Sequence, residues 1–420
     1  MPQRIRSIVD SIRRSFPALQ RTENGQPVAY FDGPAGTQVP QVVIDAIAEY
    51  LSTRNANHGG RFATSRESDA MLAEAQRAAA DLLGAPDPDS LFFGPNMTTL
   101  TFHFSRALAN EWQPGDEIVV TRLDHDANIR PWVLAAADRE ATVRWVELKR
   151  DDGTLDMESF DRALSPKTKL VAVGLASNAI GTANPVKEMI RKAHDAGAEV
   201  FVDAVHWAPH RRIDVRSLGC DYLACSAYKF FGPHIGILWG RRERLERLPA
   251  YKLRPVPDRL PDRWMTGTQN HECLAGTLAA IDYLADLGRR VAGDRSLARP
   301  DALDQAYDAI AAYESELCRR LIDGLRDVPD LQVHGIVDPG RDRERLPTVA
   351  CTHPRCSSGE LAESLGQAGI FAWHGNYYAI ELTSALGFEP HGMLRLGVVH
   401  YNTAAEVDRV VAQLAARCRR

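Results

Sequence analysis

Short apolar strands alternate with helix-length amphipathic segments along most of this chain, and that rhythm restricts the fold more than any other feature. The strand candidates are SLFFG (90–94), EIVVT (117–121), TVRWVEL (142–148), KLVAVGL (169–175), EVFVDA (199–204), YLACS (222–226) and GILWG (236–240). Helical patterns cover 66–84, 97–110, 128–139, 156–164 and 184–196. Pro185 opens the last of these and Gly197 follows it, the usual punctuation of a helix. Strands joined by helices of this length form a mainly parallel sheet covered on both faces, because a parallel neighbour requires a crossover. The expected fold is therefore α/β, with one large sheet.

At 420 residues the chain exceeds one typical domain. The texture changes near residue 286, where RRVAGDRSLARPDALD reads as a linker or insertion. A helix (304–326) and short strands and helices then suggest a smaller α+β unit. The expected division is an N-terminal arm (1–29) whose MPQRIRSIVDSIRRSF reads as a helix, a large domain (30–285) and a small C-terminal domain (286–420). Net charge is −5, with no basic stripe or tail, so nothing favours nucleic acid or an anionic membrane. No apolar run approaches membrane-span length. The seven cysteines show no CxxC and no paired spacing, which points to reduced thiols in the cytoplasm and gives no metal motif.

Polar residues gather where the strands finish: His125, Asn178, Asp203, Ser226 and Lys229. Ligands of open α/β sheets bind beyond the carboxyl ends of the strands, so one crevice can collect all five. Asp203 ends an apolar strand, and Lys229 follows the next one. A buried ion pair would explain both residues. So would pyridoxal 5′-phosphate (PLP), whose pyridine nitrogen needs an acid and whose aldehyde needs a lysine of lowered pKa. FGPNMTTLTF is a strand–turn–helix junction, and its Asn96, Met97 and Thr98 could present a helix N-terminus to phosphate. The same residues also make an ordinary helix cap. His125 could stack on a ring, and Asn178 could donate to a ring hydroxyl.

Seven segments together resemble the class V aminotransferase family, in its cysteine desulfurase and selenocysteine lyase branch. They are YFDGPAGTQVP, HDANIRPW, SNAIGTANPV, VDAVHWAPH, SAYKFFGPHIGILWG, TGTQN and MLRLGVVHYNTAAEVDRVV, in family order from about residue 30 to 415. The resemblance implies a PLP fold-type I homodimer with active sites at the subunit interface and a small amino acid as substrate. It makes Lys229 the cofactor-linked lysine, Asp203 the pyridinium partner and His125 the stacking histidine that can also shuttle a proton. Asn178 and His206 fall at the ring-hydroxyl side. Ser226 and Tyr228 become phosphate ligands, with Thr268 donated by the other subunit. Arg395 becomes the substrate-carboxylate clamp, a task suited to its planar fork, and Asn57 and His374 join it as substrate-side candidates.

The chain also departs from that pattern. His206 stands where the family usually has Gln, and Tyr228 where it usually has His. The loop that carries the desulfurase nucleophile reads GIFAWHGNYYAIEL (369–382), without cysteine and with Tyr378 near the expected position. Cys351 and Cys356 lie upstream and read as structural or surface thiols. Tyr378 becomes a candidate acid/base. A carbon–sulfur lyase acting by β-elimination is the favoured expectation. Cysteine desulfurase, aminotransferase, epimerase, and decarboxylase or carbon–carbon bond formation are the alternatives. Neither a GxGxxG unit nor a Walker A motif supports a nucleotide enzyme. Retention of Lys229, Asp203, His125 and Arg395 argues against a regulator that has lost catalysis.

Overall fold

A computed structural model describes residues 2–419. The alternating pattern folds into a seven-stranded sheet: β1 (Leu91–Gly94), β2 (Glu117–Thr121), β3 (Thr142–Val146), β4 (Thr168–Gly174), β5 (Glu199–Asp203), β6 (Tyr222–Ser226) and β7 (Gly236–Gly240). Their spatial order is β1-β7-β6-β5-β4-β2-β3. Pairs from β3 through β6 are parallel, and β7 runs antiparallel to both β6 and β1. The central strands are buried on both faces, so their sequences are continuously apolar. In β5, Val200 and Val202 face one core while Phe201 faces the other, as the two-residue period of a strand demands. β3 lies at the edge, and its exposed Thr142 and Arg144 show it.

A second sheet of four strands joins β8 (Gln332–His334), β9 (Thr348–Thr352), β10 (Trp373–Gly375) and β11 (Met393–Gly397) in the order β8-β9-β11-β10, all antiparallel. Helices Ser358–Gln367 and Ala404–Cys418 pack on it, each opened by a capping box. The segment near residue 30 ties the sheets together. Ala29–Tyr30 pairs with Ile370–Phe371, Asp32 bridges Gly397, and the Thr37 amide donates to the Tyr228 carbonyl. The start of the segment expected in the large domain is thus stitched to the small sheet.

The stretch read as a linker is largely helical. Helix His271–Ala292 runs into it and ends at Gly293 (φ +72°), and helix Arg299–Arg326 begins with Pro300 in its first turn. Its polar residues are not free loop residues. The Arg299 guanidinium meets Glu74, Asp81 and Asp282, which fixes the start of this helix on the large domain. At the N-terminus, short helices Pro2–Arg6 and Val9–Arg14 bury Ile5 and Ile12. Among the described residues no helix is long and apolar enough to cross a membrane.

Helices His271–Ala292 and Arg299–Arg326 touch most closely at Gly288, where an added Cβ would lie 1.8 Å from the Ala302 carbonyl oxygen. Gly288→Ala should therefore force the pair apart at a cost of about 1–3 kcal/mol, the usual range for overpacking. Thermal unfolding followed by circular dichroism checks this, and a melting temperature equal to wild type would contradict it.

Candidate active site

Beyond the carboxyl ends of β2, β4, β5 and β6 lies a cavity of about 540 Å³ lined by Asn96–Thr99, Asp124, His125, Asn178, Asp203, His206, Ser226, Tyr228, Lys229 and His234. Five stretches of the chain meet there because parallel strands all finish on one side of the sheet.

Lys229 sits in a turn after β6, half-buried in the cavity wall. Its Nζ donates to the Pro34 and Ala35 carbonyls at 2.5 and 2.9 Å. Burial, aided by Arg395 and opposed by Asp203 and Asp32, pushes its pKa down to about 7. Asp203 closes β5, and its Oδ1 accepts the Val205 amide at 2.8 Å. Burial pushes that carboxyl up to about 6 against the pull of Lys229. His125 accepts the Ala127 amide on Nδ1 at 3.0 Å, so the proton of its neutral ring belongs on Nε2. Burial, with Lys229 and Arg395 nearby, lowers its pKa to about 4 and keeps it neutral at physiological pH.

The anion end is built from backbone. Helix Met97–Ala109 starts at the cavity wall, with the Asn96 side chain accepting the Thr99 amide and the Met97 amide donating to Ser226 Oγ at 2.9 Å. Gly236 lets this turn lie against β7, because a Cβ there would meet the Asn96 carbonyl carbon at 2.4 Å. A thirteen-residue helix aimed at the cavity offers the partial positive charge that a phosphate needs. The Tyr228 ring stacks on His234 at 5.0 Å.

Arg395 reaches the site from β11 and is only 4% exposed. Its Nη1 donates to the Asn178 carbonyl at 2.8 Å, and its guanidinium lies 4.1 Å from the Tyr377 ring centre. Burial lowers its pKa to about 10, which leaves it charged at neutral pH. Asn178 donates one amide N–H to the Tyr377 carbonyl at 2.9 Å, and its buried Oδ1 has no protein partner. Tyr378 lies over His125, ring centres 5.5 Å apart, and its carbonyl accepts the Asp126 amide.

Tyr378 stands at the edge of the cluster, 73% exposed and outside the cavity lining, and three expected residues do not join it at all. Asn57 is exposed, its Oδ1 engaged with the His58 amide. Thr268 lies in an exposed turn outside the cavity. His374 pairs in register with Leu394, whereas Arg395 pairs with Trp373. Alternate strand residues face opposite sides, so the His374 ring packs over Gly359 and points away from Arg395.

Two acids were not anticipated. Asp32 is half-buried near Lys229 and Arg395, with an enclosed, unpartnered Oδ1 and its pKa pushed to about 6 chiefly by desolvation. Asp124 accepts Thr121 Oγ1 and the Gly174 amide, and burial, helped by Asp203, pushes it to about 8. Asp124 precedes His125 at a strand end, a position that could have marked it. Nothing local marked Asp32, which reaches the site only through the pairing of the two sheets.

The donor set fits PLP: a buried lysine of lowered pKa, an acid on the neighbouring strand end, a neutral imidazole and a helix N-terminus share one cavity. The family model described as Aminotransferase class-V matches residues 29–410. A cysteine desulfurase of Dickeya dadantii is 32% identical over 97% of this chain and 96% of its own length. Aminotransferase-like protein FGM3 of Gibberella zeae is 34% identical over 97% of both chains. Among solved structures, the apo cysteine desulfurase of Thermococcus onnurineus superposes with a TM-score of 0.86 at 24% identity over 98% of both chains, a likeness of fold. The cysteine desulfurase CsdA of Escherichia coli, in an S-sulfonic acid form, gives 0.82 at 25% identity over 98% of both. With a family model spanning most of its length, the chain belongs to the class-V aminotransferases and is a PLP-dependent enzyme related to cysteine desulfurases.

Proposed function

We propose that this enzyme cleaves the Cβ–S bond of a small amino acid by β-elimination, with sulfur leaving directly rather than through a protein persulfide. The observation that carries the reading is the absence of any thiol at the cavity. None of the seven cysteines lines it, and six are buried. Cys351 lies inside β9 with no exposure, and burial pushes its thiol up to about 12, so little thiolate exists at neutral pH. The 369–382 loop brings Tyr378 over His125 instead. Relatives named as cysteine desulfurases at 32–33% identity support a sulfur-bearing substrate.

When bound, PLP supplies an electron sink for charge that develops at the substrate Cα. Asp203 would hold the pyridine nitrogen protonated, the Met97–Ala109 helix start with Ser226 and Tyr228 would hold the phosphate, and His125 would cover the ring. Arg395, already fixed by Asn178 and Tyr377, directs its remaining N–H groups at the substrate carboxylate. Lys229, freed from the cofactor, takes the Cα proton on Nζ. The Cβ–S electron pair then leaves on sulfur, with Tyr378 as the nearby proton donor. The released enamine takes up one water, which supplies the keto oxygen, so pyruvate, ammonia and a thiol or sulfide are the final products. In this reading the exposed Thr268 completes the phosphate site of a second copy in a homodimer, and the reduced thiols suit a cytoplasmic enzyme.

Lys229→Ala should abolish both the visible absorbance of the holoenzyme and turnover; a variant that still formed a borohydride-reducible link would show another lysine at work. In the wild-type apoenzyme the neutral amine is the attacking form. A pKa lowered to about 7 means that this form accumulates above pH 7, far below the usual lysine range. The rate of PLP reconstitution should therefore rise with pH and reach half its plateau near pH 7. A midpoint near 10 would contradict the burial of Lys229.

Arg395→Ala should lower kcat/KM by orders of magnitude while PLP stays bound, because loss of a buried charged partner costs about 2–5 kcal/mol. Wild-type kcat/KM in this variant would place the carboxylate elsewhere.

A Cys351→Ala/Cys356→Ala double variant, tested with cysteine and S-substituted amino acids, should keep most of its turnover, with pyruvate matching released sulfur and no sulfur adduct by mass spectrometry. A stoichiometric persulfide with activity lost in the variant would restore the desulfurase reading. Turnover without pyruvate would favour another reaction at Cα.

A further inference from the structure

Segment 373–380 leaves more apolar surface in solvent than the chemistry above requires. Trp373 is 54% exposed, and Tyr378 and Ile380 are exposed with it, so three large apolar side chains stand open within eight residues. Single exposed apolar residues are ordinary, but a cluster marks a contact surface. β10 is also the edge strand of the small sheet, where charged side chains are a usual protection.

Strand register places this surface beside the site. Trp373 pairs with Arg395, so both side chains leave the same face of the sheet, with Cβ atoms about 4.5–5.5 Å apart. The opposite face belongs to helix Ser358–Gln367, where the His374 ring lies over Gly359. On the Trp373 face, the Tyr377 ring packs on the Arg395 guanidinium, and its hydroxyl bonds to the Met393 carbonyl. Arg395 donates to the carbonyl of Asn178, which lines the cavity. Tyr378 meets the cavity wall at His125. Each aromatic thus reaches the cavity through a named neighbour, Trp373 through Arg395 and Tyr378 through His125.

We propose that Trp373, with Tyr378 on the same loop, is a specificity-determining residue that receives a neutral aromatic or bulky apolar group carried on the substrate's sulfur.

This substrate class, S-substituted cysteines rather than free cysteine, rests on the carbon–sulfur lyase reading. A substrate whose carboxylate meets Arg395 brings its other end alongside the indole, because the two residues are cross-strand neighbours. Free cysteine ends at its thiol and would leave the indole in solvent. The loop offers the incoming group no charge. His374 is the one imidazole, guanidinium, ammonium or carboxylate among residues 371–380, and it faces away. Glu381 is paired with Arg122, and Glu389 is taken by Asn376 and Thr383. An indole at an opening without free charge favours an uncharged aromatic partner over a second carboxylate.

The test compares kcat/KM of the holoenzyme for S-methyl-, S-benzyl- and S-carboxymethylcysteine, with pyruvate as the product followed. S-benzylcysteine should exceed S-methylcysteine by about tenfold, the scale of one aromatic contact in a pocket, and S-carboxymethylcysteine should rank last. Trp373→Ala should lower the ratio of S-benzyl to S-methyl turnover by about tenfold, and Trp373→Phe should recover most of it. An unchanged ratio in folded Trp373→Ala enzyme, or S-carboxymethylcysteine ranking first, would overturn the contact. So would an equal fall for both substrates with a smaller assembly in size-exclusion chromatography, which would make this face an interface between copies of the chain. If no S-substituted amino acid yields pyruvate, the lyase reading fails by itself. The preference is then read from half-saturation of the amino-acid-induced change in visible absorbance, which requires no carbon–sulfur cleavage. Tighter binding of S-benzylcysteine, lost in Trp373→Ala, would uphold the assignment of Trp373, and equal binding would overturn it.

Discussion

The contact that organises this enzyme is the one between Lys229 and the backbone carbonyls of Pro34 and Ala35. It joins the turn after β6 to a segment that begins as a partner of the small unit's Ile370–Phe371 strand. The same segment bridges Gly397 through Asp32 and donates to Tyr228 through Thr37. Lysine position, the small sheet and Arg395 on β11 are therefore mechanically one assembly. Two carbonyl acceptors satisfy a buried amine without supplying a full negative charge. That is why Lys229 can be held in place and still be deprotonated near neutrality.

The loop at 376–380 shows the same economy. Tyr377 and Tyr378 both have positive φ, +56° and +59°, a conformation that non-glycine residues adopt only when their surroundings impose it. The surroundings are visible. The Tyr378 amide donates to Asn376 Oδ1, the Tyr377 carbonyl accepts from Asn178, and the Tyr378 carbonyl accepts from Asp126. Arg122 pairs with Glu381 just beyond and lies over Trp145 at 4.8 Å. A loop held at so many points suits a residue that acts from a fixed place. A nucleophile that must take sulfur from a substrate and hand it onward has the opposite requirement.

What could be read from the sequence follows from which forces are local. Strand cores such as EIVVT and YLACS appear at the expected residues, because a strand buried on both faces must be apolar along its length. Asp203 and Lys229 stood out because a charge at the end of an apolar strand is costly without a purpose. The polar stretch at 289–304 misled for a long-range reason: Arg299 finds Glu74, Asp81 and Asp282 only after folding, and with them a helix start that looked like a linker becomes fixed. His374 misled through register, since a shift of one residue along β10 moves a side chain from the clamp to the far face. Asp32 carries no local sign of its place beside the site, because the pairing of two sheets distant in the chain brings it there.

The electrostatics of the cavity tie these observations together. Desolvation drives every ionisable group toward its neutral form: Lys229 and Arg395 fall, while Asp203, Asp32 and Asp124 rise. No pair of opposite charges neutralises the site by direct contact; Lys229 bonds to carbonyls, and Arg395 to a carbonyl and an aromatic face. Their charge is therefore left available rather than consumed internally. An arriving phosphate or carboxylate supplies the counter-charge that protein carboxylates would otherwise have provided, and does so in a cavity where attraction is stronger than in bulk water. The site is arranged so that the anionic cofactor and substrate complete its electrostatics, and the cost of burying the cations becomes selectivity for ligands that carry those anions.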